Sequence, residues 1–233
     1  LNENMQLVAG FHEGMTAMFG ADPETADNME LGLRYSEGMS DLEVFYFQSD
    51  YESLKAACTN SQGGACDDGD IFDGGAVDVS GVEVSGSMIV EGDNGTSYPI
   101  GLTYTSTDAS FANSFDDDGE YWGVVAAGDD VPYVPDSSLA LVAGFVSSNG
   151  LSGNVRWVKN GSACSTAACG TNQTIDAHSF VDLNLRKALN ENVDIYVGVE
   201  NLLDDEDVVA RAPKDGARSQ KPRTMKVGFA LNF

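Results

Sequence analysis

The sequence predicts an all-β protein, about ten antiparallel strands that form part of a transmembrane β-barrel. Three observations carry this expectation. Apolar and polar residues alternate with a period of two along most of the 233 residues. No segment of ten or more residues repeats with the ~3.6-residue period of a helix. The connections between strand patterns alternate between short and long.

The composition sets the outer bounds. There are 12 Lys+Arg against 37 Asp+Glu, a formal charge of −25. Phosphate recognition needs a positive footprint, so nucleic acid is excluded as a partner. A hydrophobic fraction of 42% and an aromatic share of 9% exclude a disordered chain. No run reaches the roughly 18 apolar residues that a membrane helix requires. A membrane barrel never produces such a run and stays open.

The strands follow in order. Met29, Leu31, Leu33 and Tyr35 oppose Glu30, Gly32 and Arg34. Val82, Val84, Met88 and Val90 oppose Glu83, Ser85 and Ser87. Tyr98, Ile100, Leu102 and Tyr104 oppose Pro99, Gly101, Thr103 and Thr105. Leu151, Val155 and Trp157 oppose Ser152, Asn154 and Arg156. Val181, Leu183 and Leu185 oppose Asp182, Asn184 and Arg186. Val193, Ile195, Val197 and Val199 oppose Asp194, Tyr196, Gly198 and Glu200. Met225, Val227, Phe229, Leu231 and Phe233 oppose Thr224, Lys226, Gly228, Ala230 and Asn232. Less clean segments near 5–16, 41–54 and 138–147 complete the ten.

Short turns are expected at Glu37–Ser40, Gly92–Gly95, Ser147–Gly150 and Leu189–Asn192, where Gly and Asn tolerate positive φ. Long loops are expected over about 17–27, 56–74, 109–137, 160–176 and 202–221. One trimmed rim and one elaborated rim suit a barrel with short periplasmic turns and long extracellular loops. The polar faces are built from Gly, Ser, Thr, Asn and Asp, whereas a soluble sheet would meet water with Lys and Glu. Tyr35, Tyr98, Tyr104, Trp157 and Phe233 stand near strand ends, as in an interfacial aromatic belt. A passive outer-membrane porin and a secreted soluble β-sandwich binding protein remain the alternatives.

Cys58 and Cys66 form one close pair, and Cys164 and Cys169 another, both among small polar residues. Zinc would need CxxC-type spacing with His nearby. Two local disulfides, Cys58–Cys66 and Cys164–Cys169, are expected, in an oxidising compartment. Four unrelated free thiols are the alternative.

Several segments resemble TonB-dependent outer-membrane receptors. Asn28-Met29-Glu30-Leu31-Gly32-Leu33-Arg34-Tyr35 is similar to the family's N-x-E-L-G-L-R-Y strand. Gly81-Val82-Glu83, the run 99–105 and Val131-Pro132-Tyr133-Val134-Pro135 follow in order. Val199-Glu200-Asn201-Leu202-Leu203-Asp204 resembles the V-x-N-L-F-D of the penultimate strand, with Leu203 in place of Phe. Lys221-Pro222-Arg223-Thr224 and Phe233 match the last strand. The nearest subgroup is the ferric-dicitrate type. The resemblance implies a 22-stranded barrel in the outer membrane of a Gram-negative bacterium, filled by an N-terminal plug. It implies uptake of a ferric siderophore or ferric-citrate-like complex, driven by TonB through the plug. Residues 1–233 would be the C-terminal ten strands, with the plug and first strands of the same receptor outside this chain. Residue 1 is Leu, in keeping with a processed product or a piece of a longer protein. Outer-membrane lipid would surround the barrel, and no cofactor is expected.

Ten of the 12 basic residues follow position 150. Arg211, Lys214, Arg218, Lys221 and Arg223 fall within 13 residues of one another, in or beside the last long loop. Arg offers bidentate donors to carboxylates, so Arg211, Lys214 and Arg218 are candidate contacts for an anionic iron complex. The alternative is neutralisation of Asp204, Asp205, Glu206 and Asp207, or of lipid phosphates. The acidic run 116–120 fails the EF-hand pattern, because position 114 is Ser and position 125 is Val. His12 and His178 are the only histidines, and no G-x-S-x-G elbow accompanies them, so an enzyme is not expected.

Overall fold

The computed structural model describes residues 3–16, 23–57, 71–73, 75–116, 124–211 and 216–231. Ten long strands form one antiparallel sheet: β1 Met5–Thr16, β2 Glu24–Glu37, β3 Ser40–Tyr51, β4 Val77–Glu91, β5 Thr96–Phe111, β6 Ser137–Ser147, β7 Leu151–Asn160, β8 His178–Asn190, β9 Val193–Glu200 and β10 Thr224–Leu231. Each strand pairs with its neighbours in sequence, an up-and-down meander without crossovers. β1 and β10 are the two edges.

The short turns fall where expected. Gly38 (φ 62), Asn94 (φ 63), Gly95 (φ 68) and Gly150 (φ 79) supply the left-handed conformations that reverse the chain. A bulge between Ala188 and Asn190 tightens the fourth turn.

Register brings the expected apolar faces together. One row runs Leu7–Leu33–Val44–Val84–Tyr104–Leu139 across β1 to β6. A second runs Met88–Ile100–Ala143–Val155–Leu183–Val199–Met225 across β4 to β10. Phe11, Met15, Val227 and Phe229 on the edge strands are about 70% exposed. A sheet that turns one continuous apolar face outward is the lipid-facing wall of a barrel.

β5 has 16 residues; at about 3.3 Å per residue it spans roughly 50 Å, beyond the ~30 Å hydrocarbon core. β2 and β5 accordingly extend into segments expected to be loop, starting at Glu24 and ending at Phe111. In that overhang the apolar side turns acidic. Glu13 sits opposite Asp27, Asp27 opposite Asp50, and Asp50 opposite Asp78. All four carboxylates are exposed. Like charges directly opposite one another destabilise a sheet. Asp50→Asn is therefore expected to raise stability by a few tenths of a kcal/mol, a gain that shrinks as salt rises. Urea midpoints at two ionic strengths measure it; no gain at low salt would contradict the repulsion.

The polar face has its own packing rule. Gly32 pairs with Phe45, Gly81 with Phe47 and Gly228 with Tyr196. A Cβ on Gly32 would come within 2.3 Å of the Phe45 ring, and one on Gly228 within 2.2 Å of the Tyr196 ring. Each ring lies across the backbone of its partner strand, in space that only glycine leaves open.

At the loop end of this same face lies the one hydrophobic cluster among the described residues. Val77, Ala109 and Phe111 from β4 and β5 are joined by Val125, Val131 and Ala167 from the connections. Phe115 meets Phe111 edge-on with ring centres 5.5 Å apart. The long connections therefore fold onto the polar face and are held there.

Candidate functional site

Four two-stranded ribbons stand above the sheet, and two of them build the candidate site: Ala163–Cys164 with Thr174–Ile175, and Val208–Arg211 with Ala217–Ser219. The second is anchored at its base. Asn201 is 5% exposed and holds φ 50, a left-handed conformation that Asn tolerates. Its Nδ2 donates to the carbonyls of Asp205 and Lys221, each at 2.9 Å. Its Oδ1 accepts from the Asp205 amide at 3.1 Å. One side chain thus pins the outgoing and returning arms of the final loop. The Arg223 amide donates to Asp204 Oδ1 at 2.8 Å, and Lys221 and Lys226 both pair with Glu200.

The Cys164–Cys169 disulfide is present, with a Cα separation of 5.2 Å. Among the described residues no cysteine is free. The expected Cys58–Cys66 pairing lies outside the described residues. Labelling of denatured, unreduced protein is expected to find no reactive thiol at Cys164 or Cys169. Opening this short loop by a double Ser substitution is expected to cost about 2–3 kcal/mol of local stability. Unchanged proteolytic resistance of residues 161–177 in that variant would contradict it.

Three connections meet here. The Tyr133 amide donates to the Cys164 carbonyl at 2.7 Å, joining segment 124–136 to the disulfide ribbon. The Asp136 amide reaches the Ser162 carbonyl at 3.2 Å. Arg211 Nε donates to the Thr174 carbonyl at 2.7 Å, joining the last loop to the same ribbon. The Tyr133 hydroxyl donates to the Arg211 carbonyl and closes the triangle. Tyr133 holds φ 64, and Val131 bonds back to Ala109 of β5 at 3.0 Å.

Beneath the ribbon is a cavity of about 680 Å³ against β4 and β5. The polar residues in its lining include Ser106, Thr107 and Thr174, with Asp108, Asp130 and Asp136. Among the described residues no Lys or Arg lines it.

The structure separates the basic residues that the sequence singles out. Arg211 pairs with Ala217, and Arg218 with Ala210, so the two Arg side chains leave opposite faces of their ribbon. Arg211 is half-buried against the neighbouring loop, whereas Arg218 is exposed. Lys214 lies outside the described residues. Sequence reading missed Thr174, Tyr133 and Asn201 as organisers of this region. Asn201 had a signal, its place in the penultimate-strand motif. Thr174 had none, because its partner is 37 residues away.

Residues 3–202 match the model of a family described as TonB dependent receptor-like, beta-barrel. No curated protein matches the chain. Among solved structures, the ferric-catecholate import receptor Fiu from E. coli K12 aligns with a TM-score of 0.73 at 20% identity, over 100% of this chain and 34% of Fiu. The siderophore receptor PiuA from Acinetobacter baumannii aligns with a TM-score of 0.75 at 17% identity, over 99% of this chain and 34% of PiuA. The copper transporter OprC aligns with a TM-score of 0.72 at 12% identity, over 100% of this chain and 38% of OprC. The chain thus spans about a third of the length of these structures, and at such identities the likeness is one of fold.

Proposed function

We propose, on the premise that this chain belongs to the TonB-dependent receptor family of β-barrels, that it forms the C-terminal ten strands of an outer-membrane importer for an iron complex. The observation that carries this reading is the continuous apolar face of ten strands beneath a rim of fastened loops. The rest of the same receptor, including a plug that engages TonB, completes the importer. Two of the similar structures are named as a ferric-catecholate import receptor and a siderophore receptor, which supports a ferric siderophore as the cargo, with a ferric-citrate-like complex as the other candidate. Import powered from another membrane is transport, not enzyme chemistry.

Within this reading Arg218 meets the anionic complex, with Lys214 as a second contact; Arg211 leaves the ribbon on the face opposite Arg218, with its Nε committed to Thr174. Arg218→Ala is expected to weaken binding of the ferric complex roughly tenfold, the scale of one charge-assisted contact, with the loss shrinking as salt rises.

The experiment is uptake of radiolabelled iron under iron limitation, with ferric citrate and a ferric catecholate supplied separately. Strains with and without the gene are compared, each with and without TonB. Uptake that needs both supports the importer, and the preferred supply names the ligand class. Uptake that needs the gene but not TonB would make it a passive porin and overturn the proposal.

A further inference from the structure

The polar face of the sheet is divided by charge. On β1 to β5 it carries Arg34 against Glu30, Asp41, Glu43 and Glu83, and Arg34 is committed to Glu43 at 2.9 Å. On β7 to β10 it carries Arg156, Arg186 and Lys226 against Asp182, Asp194 and Glu200. A chain with 37 acidic and 12 basic residues thus gathers the cations of this face on one side.

A recess of about 560 Å³ lies on that side. The register sets its floor in one row: Gly144, Asn154, Asn184, Gly198 and Lys226 stand side by side across β6 to β10. Asn184 Nδ2 donates to Asn154 Oδ1 at 3.3 Å. Gly198 keeps the floor open, because a Cβ there would meet Asn184 Oδ1 at 3.3 Å and no other atom within 4 Å. Arg186 and Tyr196 border the row on the side of the short turns. Arg186 is balanced, with Nη2 donating to Asp194 at 2.6 Å. Lys226 shares the Glu200 carboxylate with Lys221. Two ammonium groups on one carboxylate leave a surplus positive charge, and Lys226 brings it to the recess. The cavity against β4 and β5 has three Asp and, among the described residues, no such group.

We propose that this recess is an anion site on the inner wall, apart from the rim loops, that takes a carboxylate, with the imported iron complex as its source. Lys226 supplies the charge. The side-chain amides of Asn154 and Asn184 supply donors, since each carries two N–H groups and only one is given between them. A carboxylate removed from water needs both, a countercharge and hydrogen bonds to its oxygens. The source of the anion rests on the importer reading; the chemistry of the site does not.

Citrate without iron, titrated calorimetrically into the full-length receptor in nanodiscs, tests the chemistry. An Arg218→Ala background removes the rim contact, so the wall site is read alone. Lys226→Gln is expected to weaken citrate binding about ten- to hundred-fold, the scale of one charge-assisted hydrogen bond, with the loss shrinking as salt rises. Lys221 still neutralises Glu200 in this variant, so no carboxylate is left bare. Lys226→Arg is expected to keep the binding, and Gly198→Leu to remove it by filling the recess. Glu200→Gln separates an anion site from a structural ion pair: it tightens citrate in the first case and weakens it in the second. Uptake tests the source. With Arg218 intact, Lys226→Gln is expected to slow TonB-dependent uptake of ferric citrate about tenfold while binding to cells lacking TonB stays as in wild type. Citrate binding untouched by Lys226→Gln and Gly198→Leu, or weakened by Glu200→Gln, would overturn the anion site. No citrate binding in the background receptor, with an unfolding midpoint lowered by Lys226→Gln, would assign the recess to a carboxylate of the receptor's own remaining chain and overturn it too. The expected citrate pattern in a receptor that imports no iron would uphold the site and overturn the importer reading instead.

Discussion

Asn201→Ala is expected to destabilise the protein by about 2–4 kcal/mol and to loosen the whole final loop. The side chain makes three hydrogen bonds to the backbone of Asp205 and Lys221, within 3.1 Å, at a position 5% exposed. Leaving buried partners unsatisfied costs about 1–3 kcal/mol each, partly recovered where water can enter. Ala adds strain, because φ 50 is a conformation that a Cβ disfavours. Asn201→Gly separates the two effects, since it keeps the backbone freedom and loses only the bonds. Asn201→Asp keeps the acceptor but turns a carboxylate toward two carbonyl oxygens, so it should be no better than Ala. Urea unfolding in detergent, read by tryptophan fluorescence, orders the variants. Wild-type midpoints for both Ala and Gly would remove Asn201 from its place as the pin of the loop.

Gly81→Ala carries the second large effect, about 1–3 kcal/mol from overpacking. A Cβ there would come within 2.2 Å of the Ser106 carbonyl oxygen and 2.5 Å of the Phe47 ring. The ring can turn aside; the backbone oxygen belongs to the β4–β5 ladder and cannot move without breaking it. For Gly32→Ala the three nearest atoms all belong to the Phe45 ring, the first at 2.3 Å. The two sites should therefore respond differently to relief. Phe45→Ala is expected to rescue Gly32→Ala, whereas Phe47→Ala should rescue Gly81→Ala only in part. Full rescue at both sites would show that the backbone contact at Gly81 does not matter.

The strands were legible because their alternation reports a physical boundary. Val193 to Val199 and Met225 to Leu231 switch between lipid and interior at every residue, and the expected faces coincide with the observed register. Legibility faded where that boundary ends. Thr25 and Asp27 belong to β2, and Ala109 to Phe111 to β5, yet they project past the hydrocarbon and lose the apolar alternation. They read as loop for that reason. The polar face was read from its small residues, which hid Phe45 and Phe47; only the cross-strand register reveals that each covers a glycine. At the site, the basic cluster was visible as composition. Its division was not, because it depends on a ribbon register that sets Arg211 against Ala217 and Arg218 against Ala210. The ring of loop contacts joins residues up to 78 apart, which no local pattern encodes.

The two sheet edges bear on how such a wall enters a membrane at all. In an antiparallel edge strand about half of the amides and carbonyls point away from the sheet. β1 has 12 residues and β10 has eight. About ten amides and as many carbonyls therefore face outward from the two rims. In hydrocarbon each unmet group costs several kcal/mol, since lipid tails offer nothing to bond. The sum is tens of kcal/mol, more than a folded domain's entire net stability. A sheet with these edges bare is thermodynamically barred from the bilayer core, however apolar its outward face. Crossing into lipid and zipping both rims to further strands must therefore be a single coupled event, and whatever assists the one must shelter the other.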